Sequence, residues 1–373
     1  MPPPNAEPTR SSAASADPRS TSDRYQWIEE GAFEVIPGVY RIPLPLPFDG
    51  LRAVNTYAIE TADGLVMIDS GWVLQETKDQ LERSLAKIGA ELGDIKRFLI
   101  THIHRDHYTQ AIALRNVFGM KIALGEDEKP SLDVVMGRDA GFLTARGGQL
   151  ARAGAQPLIE KMVEAGMQRP DADLDYAEPD EWITSGQKFE LGTRTLEAIA
   201  TPGHTHGHVV FADFGAGLLF AGDHVLPHIT PSISLEAVPQ ELPLGDFLDS
   251  LRLVRQLPDL RLLPAHGPVS PSVHSRVDEL IDHHDHRLAA MVTQLADGPH
   301  TAYEIALAVK WTSRNRDLTD LDLVNQMLAV GETEAHLDLL VARGQAQAYL
   351  DNDIKLYRLP PTQPVPVPVR PSA

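Results

Sequence analysis

The chain predicts an α+β fold, in which short apolar runs end in histidine or aspartate and a small unit of two helices and a hairpin follows. Three observations carry this. Residues 66–68, 95–100, 218–221 and 262–263 are short apolar runs closed by Gly, Pro, Thr or Asp, the pattern of buried strands. Residues 108–118 and 272–295 carry the 3.6-residue period of helices. At the C-terminus, 301–306 and 331–340 read as short amphipathic helices, with Leu337, Leu340 and Val341 on one face and Gly344 as a C-cap. Two strands then follow, 346–350 and 354–359, joined by Asp351-Asn352-Asp353 as a hairpin.

Six consecutive residues, His102-Ile103-His104-Arg105-Asp106-His107, place three imidazoles and a carboxylate between the strand-like run and the helix-like one. Alternate side chains of a strand face the same way, so His102 and His104 are expected to converge on one cation while Asp106 and His107, on the turn, face a second. A lone histidine on an apolar strand is ordinarily a satisfied core residue. Four ligand-type residues in six are different, since burying them without a cation leaves unpaired groups costing roughly 1–3 kcal/mol each. Three later runs end the same way beside glycine, in His204, Asp223 and His266. Five histidines and two aspartates suffice for two ions sharing one carboxylate.

In order, type and approximate spacing these residues resemble the metallo-beta-lactamase fold superfamily, over about 33–297. The stretch Val66-Met67-Ile68-Asp69-Ser70-Gly71 is similar to that family's strand-ending Asp-Ser/Thr-Gly turn. The resemblance implies a four-layer αββα sandwich in which His102, His104 and His204 hold a first metal, Asp106, His107 and His266 a second, and Asp223 bridges them. It places Asp69, His208 and His224 behind the ligands, whereas His206 has no counterpart. Two divalent cations are the implied cofactors: zinc by the nitrogen-rich set, with iron or manganese open because the set holds carboxylates and no sulfur. An oxygen-reducing di-iron role is disfavoured, because relatives of that kind carry a carboxylate where His104 stands.

Residues 222–231 resemble the branch of beta-lactamase-like hydrolases with a small C-terminal winged helix, and the helix, helix and hairpin order agrees. The organisation expected is a disordered tail over 1–22 and a catalytic domain over 23–297, with an insertion at about 126–181. A winged-helix domain over 298–359 and a Pro-rich tail over 360–373 complete it. Where relatives often carry Arg after the Leu-Pro pair, this chain has His228, a titratable group in place of a fixed cation. It and Tyr108 are the candidate substrate contacts. Within the insertion, Leu132, Val135, Met136, Leu158, Met162 and Val163 predict helices flanking the site, and Arg138, Arg146 and Arg152 are either entrance residues or ordinary solvated charges. A second histidine group, Asp282-His283-His284-Asp285-His286, lies on the helix expected over 272–295, where at most His283 and His286 share a face. A solvated helix or a packing contact with the insertion is expected there, not a metal site.

The 373 residues include 33 basic and 52 acidic ones, a net charge of −19, and no cysteine. Disulfides, thiolate ligands and a cysteine nucleophile are thereby excluded. No stretch approaches the roughly 20 apolar residues of a membrane span, and 1–22 lack an apolar run of signal-peptide length; a cytosolic protein with no membrane partner is expected. Such a charge repels polyanions over long range. From His300 onward seven basic residues stand against nine acidic ones, so the C-terminal unit lacks the basic face of a DNA reader and is expected to be a lid or a homodimer contact.

The function expected is therefore a dinuclear metal-dependent hydrolase of a small acyl substrate, a thioester of the hydroxyacylglutathione or acyl-CoA type. Zinc lowers the pKa of bound water from about 15.7 to about 7, which supplies hydroxide to the carbonyl, with Asp106 as the catalytic proton acceptor. The alternatives are an endoribonuclease acting on single-stranded RNA, which the acidic balance opposes, a lactone or other ester hydrolase, and a DNA-binding regulator with a vestigial metal site.

Overall fold

Strands of this chain are apolar on both faces, and the alternation of side chains sorts them into three packed layers of core. The computed structural model describes residues 23–361 apart from 47–49, 138–140, 168–175, 234–235, 237 and 313, and leaves aside the side chains of 23–24 and 141–146. A seven-stranded sheet holds, in chain order, β1 (Phe33–Ile36), β2 (Val39–Pro45), β3 (Ala53–Thr61), β4 (Gly64–Ile68), β5 (Ile95–Ile100), β6 (Lys121–Gly125) and β7 (Glu181–Ile183). Strands β1 to β4 pair antiparallel and β4 to β7 parallel. Parallel neighbours need helical crossovers, and α1 (Gln75–Ala86), α2 (Arg105–Phe118) and the run α3 (Lys129–Met136), α4 (Gly141–Arg152) and α5 (Gln156–Glu164) supply them. The last run lies within residues 126–181, where helices were expected.

The second sheet comprises β8 (Lys188–Glu190), β9 (Thr195–Ala200), β10 (Val209–Asp213), β11 (Leu218–Gly222) and β12 (Arg261–Pro264), with α6 (Pro243–Gln256) crossing between the last two and α7 (Val273–Gln294) following. Between the sheets Tyr57, Ile59, Val66, Ile68 and Leu99 meet Val209, Phe211, Leu218 and Phe220. Their sequence neighbours point the other way: Ala58, Met67 and Phe98 join Leu81 of α1 and Ile112 of α2, while Val210, Ala212, Leu219 and Ala221 join Phe247 of α6 and Leu280 of α7. The four expected layers, helix, sheet, sheet and helix, are present.

Past residue 297 come β13 (His300–Thr301), α8 (Ala302–Ala308), α9 (Leu323–Ala342), β14 (Gln347–Asp351) and β15 (Ile354–Arg358), the strands pairing antiparallel in the order β13-β15-β14. Thr301 and Glu304 cap α8 reciprocally. Ile305, Val330, Leu337, Leu340 and Tyr357 share one apolar cluster with Leu219, Phe247 and Leu280, so this unit is packed continuously onto the second sheet's helices. Helix α9 starts at Leu323, ahead of the expected opening at Gly331. Its residues are buried around much of its circumference, which erases the one-sided period that marks a helix in sequence.

The histidine group on α7 requires a correction. His284 is the buried member, its Nδ1 3.1 Å from His336 Nε2 on α9 and its ring 5.6 Å from that of Phe247, while His283 and His286 are exposed. The packing partner is thus the C-terminal helix and not the insertion. The expected tail over 1–22, nearly all of the tail over 360–373, Arg138 and the side chain of Arg146 lie outside the described residues, and Arg152 is exposed at the end of α4. No described helix is long and apolar enough to cross a membrane.

Candidate metal centre

Each strand that leads to a candidate site residue stops at one edge of the sandwich: β4 before Asp69, β5 before His102, β9 before His204, β11 before Asp223 and β12 before His266. The ladder of β5 ends because Asp69 captures the next residue: its Oδ1 accepts the Thr101 N–H at 2.8 Å and the Thr101 hydroxyl at 3.0 Å. His102 and His104 consequently stand on a turn and not on the strand, His104 immediately before α2, and Asp106 and His107 fall in the first helical turn. The expected convergence of His102 and His104 is made by this turn, not by strand alternation.

Two donor sets result. In the first, His104 Nδ1 lies 3.0 Å from His102 Nε2 and 3.1 Å from His204 Nε2, which is 3.5 Å from Asp223 Oδ2. In the second, Asp106 Oδ2 lies 3.6 Å from His107 Nε2 and 3.4 Å from His266 Nε2, and Asp223 Oδ1 is 3.7 and 3.3 Å from the same two nitrogens. Asp223 therefore turns one oxygen toward each set. Donors around a tetrahedral zinc are roughly 3.3 Å apart, so both sets have the span that an ion requires.

Hydrogen bonds on the far side of each ring fix which nitrogens carry lone pairs. His204 Nδ1–H donates to Ser232 O at 2.7 Å, His266 Nδ1–H to Ala53 O at 2.8 Å and His107 Nδ1–H to Asp69 Oδ2 at 2.9 Å. The Thr101 hydroxyl proton goes to Asp69, so that oxygen accepts from His102 Nδ1–H at 3.1 Å. In the neutral rings four Nε2 lone pairs are aimed inward, and His107 Nε2, His266 Nε2 and Asp223 Oδ1 are buried with no hydrogen-bond partner. Buried polar atoms are normally satisfied, and the missing partner of a cluster of lone pairs and carboxylates is a cation. The residues fit a metal.

Electrostatics separate the two sets. Burial, reinforced by neighbouring imidazoles, holds His102, His204 and His208 well below the ordinary histidine range, leaving neutral nitrogen donors. In the second set burial opposes charge, yet facing carboxylates raise His107 to about 10 and His266 to about 8, and in return these histidines hold Asp106 well below the usual carboxylate range. Without metal, protons supply the positive charge that the aspartates demand.

Asp69 bonds to His107 on the side away from the donor sets, in a left-handed conformation (φ +58°) unusual for a residue with a side chain. His208 holds Thr201 through Nδ1 at 2.8 Å and accepts the Asp223 N–H through Nε2 at 3.2 Å. The turn at Gly222 (φ +51°) is glycine because a Cβ there would lie 2.7 Å from both His208 Nε2 and Thr101. His224 is buried against Phe247, rings 5.2 Å apart, and burial pushes it down to about 3. His206 answers to Glu236, which accepts its N–H at 2.7 Å.

Tyr108 is corrected: it is fully buried on the core side of α2 and its hydroxyl donates to Ala177 O at 2.7 Å, so it is a packing residue and cannot touch substrate. His228 is exposed, its Cδ2 4.0 Å from where a Cβ on Gly267, next to His266, would stand. Sequence reasoning missed Asn55, whose amide holds Pro264 O and Gly267 O on either side of His266 at 3.0 and 2.8 Å, and Glu128, which is buried against the first donor set's loops. Asn55 lies within an apolar strand run, which was its one signal.

Layers, edge and donor sets together define a metal-dependent hydrolase. The chain belongs to the metallo-beta-lactamase superfamily, whose model matches residues 49–266. It is similar to the probable metallo-hydrolase YqjP of Bacillus subtilis (strain 168), 24% identical over 340 residues that cover 86% of this chain and 97% of that one. An atrochrysone carboxyl ACP thioesterase of Aspergillus terreus is 23% identical over 82% of each chain. The crystal structure of a metallo-beta-lactamase family protein from Thermus thermophilus superposes with a TM-score of 0.74 at 28% identity, covering 88% of this chain and 100% of that one.

Proposed function

We propose that this protein is a dinuclear zinc-dependent thioesterase acting on a small acyl thioester of the acyl-CoA or hydroxyacylglutathione type. The observation that carries the reading is Asp223, whose two oxygens serve two adjacent sets of unsatisfied donors. Two zinc ions held by those sets would supply an activated water and polarise the substrate carbonyl. The residues of the chain do the rest. Asp106, with its side chain 15% exposed beside the fully buried His107, is placed to take the proton of the attacking water and pass it to the departing thiolate. His228 meets the substrate as it enters. No serine or cysteine nucleophile is required.

Support for a thioester comes from the activity of the Aspergillus terreus relative, and support for a small substrate from the net charge of −19, which disfavours RNA. The C-terminal unit, two helices and a three-stranded sheet, is read as a winged helix serving as a lid or a homodimer contact. The test is a panel of acyl-CoA, acylglutathione and lactone substrates, with a fluorescent single-stranded RNA, given to the zinc-loaded protein. Thioester cleavage is expected; RNA cleavage without thioester cleavage refutes the reading.

A further inference from the structure

One buried carboxylate outside the donor sets touches the two loops that carry the three histidines of the first set. Glu128 follows β6, stands immediately before α3 without capping it through its side chain, and is 0% exposed. Its Oε1 accepts the N–H of Ile103, between His102 and His104, at 3.3 Å and the hydroxyl of Thr205, next to His204, at 2.5 Å. The seat is tight. A Cβ on Gly207 would lie 2.2 Å from the Glu128 nitrogen, and one on Gly125 would lie 2.1 Å from the Gly207 oxygen, so the loop of His204 is pressed against backbone with no room for a side chain.

We propose that Glu128 is a positioning residue for the first donor set, fixing His102 and His104 against His204 through a single shared carboxylate oxygen. The inference rests on the metal-centre reading above. Its contacts are to Ile103 and Thr205, so it acts through those loops and not on the reacting atoms. Burial, together with the facing Glu236, pushes the Glu128 carboxyl up to about 8, toward its neutral form. A glutamine keeps the acceptor oxygen at equal size and charge; an alanine removes it and frees both loops. Residues behind metal ligands typically change affinity by about 10- to 100-fold when removed.

The test is zinc titration of the metal-free protein against a chromophoric chelator, in two backgrounds: His266→Ala, which leaves the first set intact, and His102→Ala, which leaves the second. In the first background Glu128→Ala is expected to weaken zinc binding about 10- to 100-fold and Glu128→Gln less than about 3-fold. In the second, neither has an effect. Equal weakening in both backgrounds, or unchanged affinity in the first, overturns the proposal. If Glu128→Ala does not fold, Thr205→Val, which removes the hydroxyl donor, must weaken the first site alone, and an unchanged affinity overturns the proposal equally. A parent background that binds no zinc overturns the metal reading itself.

Discussion

His107 Nδ1 and Asp69 Oδ2 lie 2.9 Å apart with both side chains out of solvent, and that one bond decides which nitrogen His107 presents to the second donor set. Asp69 also ends β5 by holding Thr101, so a single carboxylate terminates a strand and sets a tautomer.

Asp69→Asn keeps a residue that tolerates the left-handed turn but cannot accept the His107 proton through its amide nitrogen. Zinc affinity at the second set is expected to fall about 10- to 100-fold, read by stoichiometry after dialysis. Full retention of both zinc ions would remove Asp69 from this role.

Asp106→Asn removes the proton acceptor and one donor of the second set. Turnover of a thioester is expected to drop below detection while zinc bound by His102, His104 and His204 stays. Activity within about tenfold of the parent, a barrier change of roughly 1.4 kcal/mol, would exclude Asp106 as the proton acceptor.

The metal-free protein carries a pH signature. Burial alone would lower His107 and His266, but facing carboxylates raise them from 6.5 to about 10 and about 8. A folded value above the unfolded one gives stability that is full below pH 6.5 and lost as pH climbs through 8 toward 10. Glu128, raised from 4.5 to about 8, acts in the same sense up to pH 8. The melting temperature of the metal-free protein is therefore expected to fall over pH 6.5–10 more steeply than that of the zinc-loaded protein, in which cations replace these protons. Equal slopes would contradict the assignment.

His228→Ala removes an exposed ring beside the loop of His266 without touching a donor. A several-fold rise in KM with kcat nearly unchanged is expected, the pattern of lost uniform binding. An unaltered KM would place His228 outside the pocket.

Much of this centre was legible because ligands of one site must be carried by strands ending at one edge, and each such end leaves a short apolar run stopped by His, Asp or Gly. His102, His104, His204 and Asp223 come together in one group and Asp106, His107 and His266 in another, sets that only the family resemblance implied in full. Illegible were contacts made across the fold. Glu128 shows only an acidic stretch after β6, because its partners Ile103 and Thr205 are distant in sequence. Tyr108 misled because its neighbour His107 faces the centre, while a residue one place further along a helix turns about 100 degrees away. Helix α9 was half hidden because burial on several faces removes the amphipathic period, and His284 could not be matched to His336 before α7 and α9 were seen to cross.

Whether two metal sets are joined through Asp223 in one hydrolytic centre is read by adding zinc stepwise to the metal-free protein while following acyl-thioester cleavage. Uptake of two zinc ions per chain is expected, with full activity only once both are bound and with loss of the second ion together with activity in Asp223→Ala. Saturation at a single zinc, or thioester cleavage by the metal-free protein, would contradict that joint centre.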